Sequence, residues 1–393
     1  MGFNDFFDEP QFDYDLERNK FIDNMNMLRD MSVQESVLYK KWVEVNQQKF
    51  LDLIPKSRKV KAQIWKPTDI QNKEQTIKEI ENLKPNIRLA ESDDDKSTWG
   101  MLRVFCHTMS FDANPGRNLK FLVYDKVSNK YLGATSLGSD VMVIKGRDDF
   151  IGWTAEDRIK GKMLRNTTIG SCIMSTQPFG YNFLGGKLVA SILTTKYVRD
   201  IWKDKYDDIL AGFTTTSLYG SNSMYNGIPY WHRCGKSAGK IAIKPDDSVY
   251  TVWHQWLKDN RGEEYLEKTK QKEGVSGPKT GVKQIILNMI FKEVGLKISQ
   301  YQHGFQRGIY FAPIYKNTKE FLQRKIKETD LVLKPKFEKD LDGVLDWWKP
   351  KAIKRYTNLL EQGRLNDEIL YYNQICGLTW EEAKQKFLHD VGR

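Results

Sequence analysis

The sequence predicts a mixed α/β protein with a central twisted sheet, flanking helices and helical extensions at both ends. Apolar residues recur at helical intervals over residues 24–49. Two β-rich runs, 119–124 and 131–137, are separated by DKVSNK, whose Asp, Ser and Asn favour a turn. Helical periodicity returns over residues 318–393. Strands in the middle and helices outside them therefore predict one α/β core with two extensions.

Taken in order, the segments predict three regions. An N-terminal helical region, 1–98, ends near the acidic ESDDDKS; an α/β core occupies 99–317, and a helical extension occupies 318–393. Residues 268–283 contain five lysines, three glycines and a proline, which predicts a mobile basic loop. Within the core, strands are expected at 141–144, 171–175, 209–213 and 308–315, and helices at 249–257 and 284–294. Residues 177–194 are expected to pass from a glycine-punctuated loop into an apolar helix.

Composition and charge limit the class of protein. With 40% hydrophobic and 29% charged residues among 393, the chain is too apolar to be disordered. The net charge of +11 favours a polyanionic partner, first of all nucleic acid, with DNA preferred. A basic excess that serves solubility alone is the alternative.

The cysteines and the N-terminus predict the compartment. Four scattered cysteines without CxxC pairing are typical of reduced thiols in a cytoplasmic protein. The acidic, aromatic start lacks the features of a signal peptide, and no apolar run is long enough to span a bilayer. The sequence therefore predicts a cytoplasmic protein without a membrane partner.

One polar stretch, residues 206–240, stands out as a candidate site. A short apolar run, 209–213, leads into hydroxyl and amide side chains broken by glycine. Buried polar groups need partners, so such a density in a core strand is unusual and suggests a strand that opens into a binding site. A polar surface loop is the alternative.

A glycine-bearing loop before an apolar helix is a second candidate. Gly180, Gly185, Gly186 and Lys187 follow a predicted strand and precede that helix. Free backbone N–H groups at a helix N-terminus suit a pyrophosphate, although glycine before a helix is often only a turn.

Other motifs are weaker. The GKS of residues 235–237 lacks the upstream glycine of a P-loop, since Tyr230 holds that position. No residue spacing typical of a zinc site is present. Asp140, Asp148 and Asp149 follow a predicted strand and are candidates for a base or a metal-binding group. The basic loop 268–283 and the basic, aromatic segment 347–355 are candidate nucleic-acid surfaces. The alternative is a solvated helix face with Trp347 and Trp348 in the core.

Several motifs in order resemble one known family. They are FIGW-x₄-R from Phe150, PFGYNFLGGKL from Pro178, W-x₃-Y from Trp202, TTTSLYG…MYNG from Thr214 and W-x₃-GKSAGK from Trp231. Together they resemble the Druantia-type anti-phage protein A family over about residues 119–245. That family looks like a divergent branch of the acetyltransferase-like (GNAT) fold, akin to phage Mom proteins that modify DNA adenines.

The resemblance implies a GNAT-like central sheet and a DNA-modifying transferase. SCIMS would be the central strand, GYNFLGGKL the loop and helix that hold the pyrophosphate of an acyl-CoA or related donor, and ILAGFTTTS the next strand. The implied cofactor-binding residues are Gly180, Gly185, Gly186 and Lys187. The usual glycine pattern of that loop is only partly reproduced.

The remaining site residues complete the prediction. The catalytic candidates are Tyr219, Tyr225, Asp140 and Ser221, with a tyrosine passing the proton. The substrate-binding candidates are Thr214, Thr216, Asn222, Asn226, Lys236 and Lys240. Two alternatives stay open: a non-catalytic DNA-binding or assembly protein of the same shape, and a metal-dependent nuclease using Asp140, Asp148 and Asp149.

Overall fold

An open, mixed sheet of seven strands confirms the predicted fold class. The computed structural model describes residues 12–47, 59–106, 116–218, 223–237, 241–270, 281–303, 305–366 and 374–388. In chain order, the strands are β1 (Pro85–Leu89), β2 (Asn118–Asp125), β3 (Tyr131–Ser139), β4 (Thr167–Ser175), β5 (Gly212–Ser217), β6 (His232–Lys236), β7 (Ile241–Ala242), β8 (Gln302–His303) and β9 (Gly308–Pro313). The large sheet has the order β1-β2-β3-β4-β5-β9-β6, and β7 pairs separately with β8.

Strand direction alternates across the large sheet with one exception. All neighbouring strands are antiparallel except β4 and β5, which are parallel. The β2–β3 hairpin was predicted from its turn residues, and the turn is held as expected. The Asp125 carboxylate accepts from the Ser128 backbone N–H at 2.8 Å and from its hydroxyl at 2.7 Å, while Asn129 adopts a positive φ of 56°.

α-Helices make up most of the remaining secondary structure of the described residues. They are α1 (Tyr14–Asp30), α2 (Val33–Val45), α3 (Lys73–Asn82), α4 (Asp93–Cys106), α5 (Lys145–Ile151), α6 (Phe179–Phe183), α7 (Gly185–Ile192), α8 (Lys196–Tyr206), α9 (Asp247–Asn260), α10 (Gly262–Thr269), α11 (Val282–Glu293), α12 (Thr318–Leu322), α13 (Pro335–Glu338), α14 (Asp340–Glu361) and α15 (Trp380–Phe387). None of these described helices is both long and apolar enough to cross a membrane.

The chain forms two compact units. One comprises Met1–Ser36 and Ala238–Phe305, and the other comprises Val37–Ser237 and Gln306–Arg393. In the first unit, α1 packs on α9 and α11 through an aromatic cluster of Phe21, Trp253 and Phe291. The large sheet belongs to the second unit, so residues 238–305 are an insertion between β6 and β9.

Both faces of the large sheet are buried. Successive side chains of a strand point to opposite faces, so each strand contributes residues to both cores. Phe121 of β2 and Ile173 of β4 lie on one face, in a core shared with α7 and Trp348 of α14. Leu122 of β2 and Met174 of β4 lie on the other face, in a core shared with α4. The sheet is therefore the middle layer of three.

Two secondary-structure predictions were wrong. β1 lies inside the region predicted to be helical, because its pairing with β2 is a long-range contact that local pattern does not reveal. The apolar run 141–144 was expected to be a strand but is a loop, with Val141, Met142 and Val143 exposed. β3 ends at Ser139, before this run, so the run leaves the sheet. The predicted mobile loop lies largely outside the described residues.

Candidate functional site

The parallel strands β4 and β5 pair only at their beginnings. Residues 167–169 of β4 pair with residues 212–214 of β5, and the ladder continues no further. Just beyond it, the Thr215 hydroxyl donates to the Gly170 carbonyl at 3.0 Å and bridges the strands by a side chain. In open α/β sheets, ligands bind where the carboxyl ends of parallel strands part. The carboxyl ends of β4 and β5 therefore form a candidate crevice.

A β-bulge in β4 accompanies this opening. Gly170 pairs with Leu137 and Cys172 with Ser136, so Ser171 has no partner of its own on β3. The Ser171 and Ser136 hydroxyls lie 2.8 Å apart. Bulges bend a strand and are frequent beside active sites. Here the bulge lies at the point where pairing with β5 stops.

Tyr225 lies beside the crevice, where the resemblance places a functional tyrosine. It is 5% exposed and stacks on Trp231, with ring centroids 5.2 Å apart. Burial raises the pKa of Tyr225 well above its ordinary value, while a hydrogen bond with Thr215 acts in the opposite direction. The phenol is therefore neutral at physiological pH, which suits a proton donor better than a base.

Lys187 holds the turn that carries Tyr225. Its ammonium donates to the Met224 carbonyl at 3.0 Å and to the Asn226 carbonyl. Burial, followed by the positive charge of Lys351, lowers the pKa of Lys187. In this arrangement the lysine joins α7 to the turn after β5.

The three glycines of the predicted pyrophosphate loop are required by close packing. A Cβ on Gly186 would lie 2.7 Å from the Met224 sulfur, and one on Gly185 would collide with the Phe179 ring. A Cβ on Gly180 would collide with the Ser175 hydroxyl. Because protein side chains occupy the space beside each glycine, packing alone accounts for the absence of a side chain at these three positions. Their cofactor role stays a prediction.

Asp140 belongs to a buried cluster of four charges. Arg147 Nη1 lies 2.7 Å from Asp140 Oδ1 and forms an ion pair whose angles do not meet those of a hydrogen bond. Arg147 Nη2 donates a hydrogen bond to Asp148 Oδ1 at 2.7 Å. Arg158 Nη1 lies 3.1 Å from Asp148 Oδ2. The second Asp140 oxygen accepts from the Thr214 hydroxyl at 2.7 Å. Both Asp140 oxygens are thus occupied, so a role as base would require this cluster to open.

The same cluster explains the FIGW-x₄-R motif. The Arg147 guanidinium lies 5.2 Å from the centre of the Trp153 ring, and Trp153 Nε1 donates to the Leu322 carbonyl at 2.7 Å. Arg158 closes the cluster at Asp148. The motif residues therefore hold the loop after β3 against β5 and α12.

The carboxylates proposed for a nuclease do not converge on a metal site. Asp140 and Asp148 face arginines, and Asp149 is exposed and pairs with Lys145 at 2.7 Å. Within the described ranges, no group of three or more metal-binding side chains is present. The nuclease alternative gains no support from these residues.

Of the remaining predicted site residues, the structure describes those on β5, on the turn after it and on the edge strand β6. Thr214 contacts Asp140, and Thr216 is half-buried on β5 opposite Ile309 of β9. Asn226 is exposed, and its side-chain oxygen accepts from the Tyr310 hydroxyl at 2.9 Å. Lys236 is exposed on the edge strand β6. Tyr219, Ser221, Asn222 and Lys240 lie outside the described residues.

A strip of lysines and aromatic rings lies on the second unit. We define this basic–aromatic strip as Phe150, Tyr230 and Trp347 with Lys319, Lys334, Lys336 and Lys351. The ammonium of Lys319 lies 3.9 Å from the Phe150 ring centre, that of Lys334 lies 4.8 Å from Tyr230, and those of Lys336 and Lys351 lie 5.7 and 5.6 Å from Trp347. Phe337 lies next to the strip, with its ring centre 5.2 Å from that of Tyr230.

The positive charges of the strip lysines are not neutralised by carboxylates among the described residues. Burial, then the positive charge of Lys319, lowers the pKa of Lys334 to about 8. Burial, then Lys351, lowers the pKa of Lys336. Among the described residues, no ion pair joins any of the four strip lysines to a carboxylate. Like charges held this close are typical of a surface that binds an anion.

Only part of this strip was predicted. The 347–355 segment was identified from its basic and aromatic composition, and Trp347 is half-buried on the strip while Trp348 is in the core. Phe150, Tyr230 and Lys319 come from distant segments, so no local signal could have grouped them.

Fold and site together define a class: a mixed α/β protein with a partly opened parallel strand pair and a basic–aromatic face. The family model for Druantia protein DruA matches residues 39–324. The chain belongs to this family, as its motifs predicted.

One relative illustrates the degree of similarity. A Druantia protein DruA from Escherichia coli (strain UMEA 4076-1) is 25% identical over 284 residues, which cover 65% of this chain and 67% of the relative. No solved structure matches the chain significantly. The matched residues include β1–β9 and end before α13 and α14, which supply part of the basic–aromatic strip.

Proposed function

We propose that this chain acts on nucleic acid, with DNA favoured, in anti-phage defence. Membership of the DruA family supports the defence role. The observation that carries nucleic-acid binding is the basic–aromatic strip, whose lysines lack carboxylate partners among the described residues. Phosphates would relieve the repulsion between Lys334 and Lys319 and between Lys336 and Lys351.

Salt dependence gives a direct test of this proposal. Each lysine–phosphate contact releases counterions and contributes about 0.9 to the slope of log K against log salt on duplex DNA. The triple change Lys334→Ala, Lys336→Ala and Lys351→Ala should therefore lower that slope by about 2–3. Fluorescence anisotropy of a labelled duplex between low and moderate salt would measure it.

Lys96→Ala is the matched control. Lys96 is an exposed lysine that pairs with Asp93 at 3.6 Å, so its removal should leave the slope unchanged. If the triple variant keeps the slope of the unaltered protein, or if the unaltered protein binds no DNA at low salt, the proposal fails.

The finer form of the proposal is a group-transfer enzyme with an acyltransferase-like fold that modifies a DNA base. Its support is the order β4, α6–α7, β5 and the turn with Tyr225, together with the parting of β4 from β5 at the bulge. The target base would be turned out of the stack, because its exocyclic amine is out of reach inside a duplex. Tyr219 or Tyr225 would then pass a proton to the leaving group, and Thr216 and Asn226 would orient the base.

The donor is the least defined part of this finer proposal. An acyl-CoA or related acyl donor is expected from the resemblance, but packing fills the space beside Gly180, Gly185 and Gly186. A donor would therefore have to be held by other groups of the crevice.

A non-catalytic DNA-binding or assembly protein is the second candidate. Internal contacts of three proposed site residues favour it: Asp140 is held by Arg147, Lys187 by backbone carbonyls, and Tyr225 by stacking. Where the described candidate residues are engaged in internal contacts, the chain can bind DNA without transforming it.

Nucleoside masses separate the two candidates. If the chain is a transferase, DNA from cells that produce it should contain a nucleoside of increased mass, detected by mass spectrometry after digestion. The double variant Tyr219→Phe, Tyr225→Phe should abolish that nucleoside and leave DNA affinity within about twofold, because the strip is untouched. Unchanged nucleosides together with intact DNA binding would favour the non-catalytic protein.

A further inference from the structure

Arg307 is a half-buried cation whose side chain lacks a partner. It directly precedes β9, and its guanidinium makes no hydrogen bond or ion pair with any residue in the described part of the chain. Burial lowers the pKa of Arg307, and no carboxylate acts in the opposite direction. Because a guanidinium stays charged at physiological pH, this partly desolvated charge costs free energy unless an anion binds to it.

The backbone holds Arg307 at the carboxyl end of β5. Gly308 of β9 pairs with Ser217, the last residue of β5, and with Lys236 of β6. One residue further, the Ser237 backbone N–H donates to the Arg307 carbonyl at 2.8 Å, and the Arg307 N–H donates to the Ser237 hydroxyl at 2.9 Å. These bonds keep Arg307 level with the end of β5, where β4 and β5 have already parted.

Thr216 is a second polar group without a partner at this strand end. It lies opposite Ile309 of β9, and the alternation of side chains assigns Arg307 to the face of Ile309. The hydroxyls of Thr214 and Thr215 make hydrogen bonds, whereas among the described residues that of Thr216 makes none. Long side chains reach diagonal neighbours of this kind, so the guanidinium and the free hydroxyl serve the same part of the crevice.

The charges around this point favour an anion. The strands β5, β9 and β6 read GFTTTS, GIYFAP and HRCGK, so they contain no acidic residue, and β6 adds the exposed cations Arg233 and Lys236. Asp140, which contacts Thr214, is already paired with Arg147. Among anions a phosphate suits the site best, because the arginine fork can bind two of its oxygens and a hydroxyl can donate to it.

We infer that Arg307 binds a backbone phosphate of the nucleic acid and so brings one nucleotide to the crevice beside Thr216. The inference rests on the proposed nucleic-acid binding and adds a contact outside the basic–aromatic strip. With the phosphate held at the end of β5, the attached sugar and base extend toward the parted strands. A small donor that carries phosphate has the same chemistry, and the test separates these two sources.

Binding of a labelled duplex to the full chain tests the inference. Arg307→Gln should lower the slope of log K against log salt by about 1, because one phosphate contact is lost. Arg307→Lys keeps the charge and should retain the slope of the unaltered protein. Arg165→Gln is the matched control and should also retain it, since Arg165 is exposed, pairs with Asp208 at 3.1 Å and lies just before the amino end of β4.

Stability gives an independent readout. Arg307→Gln removes an unpaired, partly desolvated charge, so its denaturation midpoint should equal or exceed that of the unaltered protein. A structural role for Arg307 predicts a lower midpoint, and that result would overturn the inference. An unchanged salt slope for Arg307→Gln would overturn it as well, while a lower slope in the triple variant of the strip lysines would still uphold the proposed function.

Adenosine diphosphate is the probe for the other source of phosphate. At the concentration that saturates binding of the duplex, it should shift the denaturation midpoints of the unaltered protein and of Arg307→Gln equally. A shift that Arg307→Gln abolishes would assign the site to a small ligand and overturn the assignment to a strand. Absence of duplex binding by the unaltered protein at low salt would overturn the proposed function itself.

Discussion

Replacing Arg147 with methionine should lower the free energy of unfolding by about 3–5 kcal/mol. Arg147 is fully buried, and its guanidinium faces the carboxylates of Asp140 and Asp148. Methionine fills similar space but leaves two buried negative charges with only Arg158 to offset them. Chemical denaturation followed by circular dichroism would measure the loss.

Lys145 provides the control for this change on the same helix. Its ion pair with Asp149 is exposed, so Lys145→Met should leave the denaturation midpoint unchanged. Adding Asp140→Asn to Arg147→Met removes one of the uncompensated charges and should recover part of the lost stability. A midpoint for Arg147→Met equal to that of Lys145→Met would show that the cluster is not a source of stability.

Elements with a local cause could be predicted from the sequence. The β2–β3 hairpin follows from alternating side chains and from turn residues that bond their own backbone, as Asp125 and Ser128 do. Thr379 and Glu382 form a capping box at the start of α15, and its T-x-x-E pattern lies within four consecutive residues. The strand β4, the apolar helix α7 and the strand β5 were also predicted in this order, because each has a pattern within its own residues, whereas the short helix α6 lies where a glycine-bearing loop was predicted.

Pairing between distant segments could not be predicted. The residues of β1 follow a helix and show no strong alternation of apolar and polar side chains. They form a strand because they pair with β2. The loop at 141–144 has the composition of a strand but lies beyond the end of β3, where the preceding Asp140 is held by Arg147. The strand β1 and the loop 141–144 both depend on contacts with other elements of the fold, which a local sequence pattern does not show.

The candidate site illustrates the same limit. A glycine required by packing and a glycine that exposes an N–H to phosphate are identical in a sequence, and Gly185 and Gly186 meet side chains here. A buried ion pair between Asp140 and Arg147 cannot be distinguished in sequence from a free catalytic carboxylate. The sequence could therefore nominate residues for the site but not their partners.

The adjacent tryptophans of α14 give the second large effect. Trp348→Ala should lower the free energy of unfolding by about 3–5 kcal/mol, because the side chain is fully buried and its loss leaves a cavity. Its Nε1 also donates to the Phe183 carbonyl at 3.0 Å, and its ring packs on Phe179 with centroids 5.5 Å apart. The change would therefore loosen α14 from α6 and from the helical layer over the sheet.

Trp347→Ala is the paired comparison one residue away. Trp347 is half-buried on the basic–aromatic strip, so its removal should cost far less stability while reducing DNA binding. Denaturation curves and anisotropy on both variants would separate a residue of the core from a residue of the binding surface. Equal destabilisation by the two changes would place Trp347 in the core, and a loss of DNA binding could then no longer be attributed to the basic–aromatic strip.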